Sequence, residues 1–71
     1  MSTSKTIAAT VREAREKTGL TQEDLAKKAG LSTSGYIKIE NGTTKNPEAG
    51  SINKISKALG INPKKLLDLL G

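Results

Sequence analysis

Apolar side chains return along this chain at intervals of three and four residues, in stretches that each end at a glycine. The spacing predicts short amphipathic helices. Ile7, Val11 and Ala14 fall at i, i+4 and i+7, in a helix that Ser4 or Thr6 can cap and that runs to about Lys17 before Gly19 stops it. Thr21-Gln22-Glu23-Asp24 reads as a capping box for a second helix, with Leu20 placed to staple onto Leu25. Gly30 ends that helix after about eight residues, because glycine enters the left-handed conformation without a side-chain penalty. Ser32 caps a third helix, with Leu31 placed against Tyr36 and Asn41-Gly42 as its terminator. Thr43 to Asn46 is polar, and Pro47 restricts Asn46 to extended backbone, which makes a loop. A fourth helix lies within Pro47 to Leu59, begun either by Pro47 at its first position or by Ser51 as a cap after Gly50. Its buried stripe is Ile52, Ile55 and Leu59, and Gly60 ends it. Asn62-Pro63 opens a last short helix to about Leu70, with Ile61 and Leu66 as its staple pair. The expected fold is all-α, a compact five-helix domain with a helix-turn-helix over 21–41 and no strand.

Composition narrows the chemistry. At 71 residues there is room for one core, so 1–71 is expected to be a single domain, with 1–4 flexible. The only aromatic is Tyr36, which leaves Ile, Leu, Val and Ala to build the interior. No cysteine or histidine is present, so thiolate chemistry and imidazole ligands or bases are excluded and neither a metal nor a cofactor is expected. Twelve Lys and Arg against seven Asp and Glu give a net charge of +5, which suits an anionic partner such as nucleic acid or a membrane surface. No apolar run reaches signal-peptide or membrane-spanning length, so a cytoplasmic location is expected.

Helical geometry divides the third helix into two faces. Tyr36 and Ile39 share one side with Gly35, which would permit close packing, and this side must meet the core. Thr33, Ser34, Ile37, Lys38 and Asn41 fall on the opposite arc. Short hydroxyls, an amide, one ammonium and one aliphatic group on a helix that follows a tight turn suit the major groove. There, polar groups meet base edges and an aliphatic group meets a thymine methyl. A plain solvated face is the alternative for any such helix taken alone.

Leu20-Thr21-Gln22-Glu23-Asp24-Leu25-Ala26, Gly30-Leu31-Ser32 and Tyr36-Ile37-Lys38-Ile39-Glu40-Asn41-Gly42 together resemble the Cro and phage-repressor type of helix-turn-helix domain. The likeness extends through Asn46-Pro47 and Lys57-Ala58-Leu59-Gly60, covering roughly Ile7 to Leu70. It implies sequence-specific binding of double-stranded DNA and transcriptional regulation, by repression, with the third helix in the major groove. By the same resemblance Thr33, Ser34 and Lys38 occupy base-reading positions. Gln22, which would bond a phosphate and brace the reading side chains, is expected on the DNA backbone with Asn41, Thr43, Thr44, Lys45 and Asn46. Arg15 and Glu40 sit where family members join the first helix to the third through a partly buried ion pair; a surface pair worth no more than about 1 kcal/mol is the plainer reading. Three places depart from the pattern. Gly35 replaces a larger small residue at a cost to the helix of up to about 1 kcal/mol. Ile37 is apolar where polar residues are common, which leaves a base-methyl contact, a partner contact or a stray exposed aliphatic. Glu48-Ala49-Gly50 lacks a clear cap.

Leu66-Leu67-Asp68-Leu69-Leu70 places four leucines in five residues, which cannot all face one monomer core. Leu67 and Leu69 are therefore candidates for a homodimer contact, in keeping with a domain class that binds paired half-sites. The carboxylates are better assigned to caps and helix surfaces than to catalysis, and a domain of this size lacks the concave pocket of an enzyme. An antitoxin-like helical protein-interaction module is the competing function.

Overall fold

The computed structural model describes residues 6–44 and 47–70. Its helices are α1 (Ile7–Thr18), α2 (Gln22–Ala29), α3 (Thr33–Glu40), α4 (Ala49–Leu59) and α5 (Pro63–Leu67), followed by a 3-10 turn over Asp68–Leu70. No strand occurs among the described residues. None of the helices described is long and apolar enough to cross a membrane.

Most helix starts carry a side chain that satisfies an N–H left over by the first turn. Thr6 Oγ1 accepts from the Ala9 N–H at 3.1 Å, which settles the first cap on Thr6; Ser4 lies outside the described residues. Thr21 Oγ1 accepts from the Asp24 N–H at 3.0 Å while the Thr21 N–H donates to Asp24 Oδ2 at 3.4 Å, completing the expected box. Ser32 Oγ accepts from the Gly35 N–H at 3.1 Å, and Asn62 Oδ1 from the Lys64 N–H at 3.0 Å. The turn between α2 and α3 is closed by Gly30 at φ 75°. The Leu31 N–H bonds back to the Ala26 carbonyl at 2.9 Å, which seals the end of α2 and directs the chain straight into α3.

The start of α4 differs from both expectations. Glu48 is the cap residue, in extended conformation with no side-chain hydrogen bond, and the helix begins at Ala49. Pro47 lies buried two residues ahead of it, and Ser51 is already inside its first turn. The last α-helix is also shorter than expected, giving way to the tighter 3-10 form after Leu67.

Five helices meet around one apolar cluster of Ile7, Val11, Leu25, Ala26, Ala29, Tyr36, Ile39, Ile52, Ile55, Ala58 and Leu66. α4 packs on α1, α2 and α5, while α3 lies across α1 and α2. Leu20, Leu31, Leu59, Ile61 and Leu67 cover the rim of this core. Each fully buried Leu or Ile contributes about 1.5–3 kcal/mol, so a few central side chains hold the small domain together. Ile52 and Ile55 fill the α4 stripe as expected, but Leu59 is only partly buried and Ser56 lies wholly inside.

Candidate nucleic-acid interface

α3 is held by its inner face. Tyr36 is fully buried, and Ile39 and Glu40 are buried beside it. Gly35 does not serve the close helix packing expected of it. A Cβ there would meet Ser32 Oγ at 2.8 Å and nothing from another helix within 4 Å, because the residue stands over the capping hydroxyl at the start of the helix.

Beneath α3 lies a polar cluster that joins three helices. Arg15 of α1 donates from Nε to Glu40 Oε2 and from Nη2 to Glu40 Oε1, both at 2.9 Å, and from Nη1 to the Leu20 carbonyl at 2.8 Å. Gln22, the first residue of α2, donates from Nε2 to Glu40 Oε1 at 3.1 Å, and the Tyr36 hydroxyl donates to Glu40 Oε2. Side-chain exposure is 13% for Arg15 and 2% for Glu40, so the surface-pair reading fails. Burial alone would raise the Glu40 pKa, but the hydrogen bonds from Arg15, Tyr36 and Gln22 outweigh it and hold the carboxyl below its ordinary range. Burial first, and then its bond to Glu40, push the Tyr36 phenol well above its ordinary range. The bond to Glu40 likewise raises Arg15.

The outer face of α3 carries Ser34 and Lys38 exposed, with Asn41 exposed just beyond its end; Thr33 and Ile37 are half-buried. Ile37 is thus less open than a stray surface aliphatic, with part of its side chain still presented outward. The chain after α3 is tied back to it. The Asn41 N–H bonds to the Ile37 carbonyl at 2.8 Å, the Gly42 N–H to Ile39 at 3.2 Å and the Thr44 N–H to Lys38 at 3.1 Å. Gly42, at φ 79°, makes the left-handed step this reversal needs. Thr43 is exposed and Thr44 half-buried on this anchored stretch, while Lys45 and Asn46 lie outside the described residues.

Sequence reasoning missed two members of the cluster. The apolar pattern marks Tyr36 as core alone, although a phenol and a carboxylate at i and i+4 face one another on a helix. The Gln22–Glu40 bond spans 18 positions and leaves no local signal. At the far end, Leu67 is half-buried against the core while Leu69 is 42% exposed, so the run of leucines divides as its density required. Other cations are spread over the molecule: Arg12, Lys17, Lys27, Lys28, Lys54, Lys57, Lys64 and Lys65 are all exposed on α1, α2, α4 and α5.

Sequence comparison agrees with this architecture. The helix-turn-helix domain family matches residues 8–71. Control protein C.BamHI of Bacillus amyloliquefaciens is 46% identical over 59 residues, which span 82% of this chain and 72% of that protein. A glutamine–fructose-6-phosphate aminotransferase (isomerizing) of Methanocaldococcus jannaschii is 33% identical over 63 residues. Those residues are 89% of this chain and 6% of that enzyme, so the likeness concerns one small segment of a much longer protein.

Proposed function

This chain belongs to the helix-turn-helix domain family and is a DNA-binding regulator of transcription, and on that premise we propose that α3 reads an operator from the major groove and that the protein acts as a repressor. The observation that carries this reading is the two-sidedness of α3. Its inner face is fixed by Tyr36, Ile39 and the Glu40 cluster, and its outer face offers Ser34, Lys38 and Asn41 without obstruction. Thr33, Ser34 and Lys38 read base edges, and the outward part of Ile37 meets a thymine methyl. Gln22, Asn41, Thr43, Thr44, Lys45 and Asn46 bond the phosphate backbone, which sets register without reading sequence. The exposed cations on the other helices raise association through the overall +5 field and leave the bases to α3. The protein is a binding domain of the cytoplasm, not an enzyme.

A homodimer on paired half-sites completes the proposal. Leu69 supports it as an exposed apolar side chain that lines two surface grooves, one of them shared with Ala14, Leu59 and Ile61. Leu67 contributes less, since it already packs on the core.

Selection of binding sites from random duplex DNA tests this reading. One enriched sequence is expected, with affinity that falls at a log–log slope near about −5 in salt if six phosphates are neutralised. Lys38→Ala should change the preferred bases. Lys45→Ala should weaken all sequences alike and reduce the slope by about 1. A module that binds only protein would enrich nothing, and identical selectivity profiles for the two variants would refute the division of roles.

A further inference from the structure

Glu40 does more than bridge α1 and α3. Each of its oxygens takes two hydrogen bonds: Oε1 from Arg15 Nη2 and Gln22 Nε2, Oε2 from Arg15 Nε and Tyr36 Oη. A carboxylate has about four lone-pair sites, so its acceptor capacity is in use. An ionised carboxylate only accepts. Gln22 therefore cannot turn its carbonyl inward without setting oxygen against oxygen, and Nε2 must face Glu40.

Because the amide is planar and tethered through its own side chain, that bond restricts the directions open to its remaining N–H and its carbonyl. Ser56 Oγ is the one buried side-chain polar atom left without a partner among the described residues, so the unbonded Gln22 carbonyl opens to solvent. Gln22 stands at the first position of α2, where backbone N–H groups lack intrahelical acceptors. An anion approaching this helix end would meet an amide already held by Glu40 through one bond.

We propose that Glu40 is a positioning residue for DNA binding: by holding Nε2 of Gln22 it aims the remaining amide N–H at a backbone phosphate, with the same carboxylate that seats α3. The inference rests on the reading of α3 as a groove-bound helix. It adds that the phosphate contact of α2 and the seating of α3 are governed by one side chain. Since an amide is neutral, its phosphate bond releases no counterion, and losing it leaves the salt slope unchanged.

A double-mutant cycle tests this on the duplex that the wild-type chain selects. Gln22→Met and Glu40→Gln are measured singly and together, at a temperature where circular dichroism shows each variant folded. Each single change is expected to lower affinity about tenfold, the scale of one hydrogen bond to a charged group. The double variant should bind no worse than the weaker single variant, and all should keep the wild-type salt slope. If Glu40 acts on stability alone, the folded variant binds with wild-type affinity; that result, or single losses that multiply in the double variant, overturns the proposal. Should Glu40→Gln not fold, Glu40→Asp keeps the charge beside Arg15 while drawing the carboxylate one methylene away from Gln22, and the cycle is read in the same way. A wild-type chain that selects no duplex overturns the DNA reading and this inference together. A wild-type chain that selects one, with losses that multiply, overturns the positioning role alone.

Discussion

Glu40, at 4% exposure, and Ser56, at 0%, are both buried polar side chains, and they are opposites. Glu40 carries a charge and takes four hydrogen bonds from three other side chains. Ser56 is neutral, and its hydroxyl has no partner. A buried charge is tolerated only when nearby groups replace the water it gives up, and α1, α2 and α3 converge on Glu40 to do so. A hydroxyl desolvates at a lower cost, and α4 carries that cost at Ser56 without compensation. The difference separates a polar site built into the fold from one the fold merely endures.

Breaking the first site should have the largest effect. Glu40→Ala leaves Arg15 with its carboxylate gone and should cost about 3 kcal/mol in urea denaturation, at the low end for a broken buried pair because Arg15 keeps some contact with water. That is a large part of the roughly 5–10 kcal/mol available to a small domain. Deleting a hydroxyl from each site gives a sharper comparison. Tyr36→Phe removes a donor to a charged acceptor and should destabilise by about 2 kcal/mol, whereas Ser56→Ala removes an unsatisfied group and should stabilise by about 1 kcal/mol. Equal signs for the two changes, read from denaturant midpoints, would refute the contrast.

Titration gives the smallest step. The folded pKa of Glu40 lies below its ordinary 4.5, so its stabilisation is complete above that pH and is lost as the pH falls through the depressed value. The Tyr36 pKa is raised above its ordinary 10.0, so its share is complete below pH 10.0 and is lost in more alkaline solution. Between these limits the cluster should contribute a constant amount. In Ser56→Ala the shape of the pH profile should match wild type, displaced upward throughout; a change of shape would mean that Ser56 communicates with the cluster.

Much of this fold was legible because its helix ends are written in residue chemistry. Thr6, Thr21 with Asp24, Ser32 and Asn62 each satisfy an N–H within three positions, and Gly19, Gly30 and Gly60 take the left-handed step that ends a helix. α4 began elsewhere because Glu48 caps by backbone conformation alone, which leaves no side-chain signature to read. Ser56 escaped notice because a stripe of Ile52, Ile55 and Leu59 weights apolar positions and passes over the small polar residue among them. At the candidate interface, the two faces of α3 followed from helical angle, and the Arg15–Glu40 pair from resemblance. The reach of Gln22 to Glu40 is a tertiary contact set by how α2 crosses α3, and no periodicity encodes it.

The bond from the Thr44 N–H to the Lys38 carbonyl links the descending loop to the last turn of α3. On the proposed reading, groups for the sugar-phosphate rails and a group for the bases then travel together as one template. Such a template has little freedom to accommodate a badly spaced site. The accommodation would then fall to the duplex, whose stiffness would become part of what the protein selects.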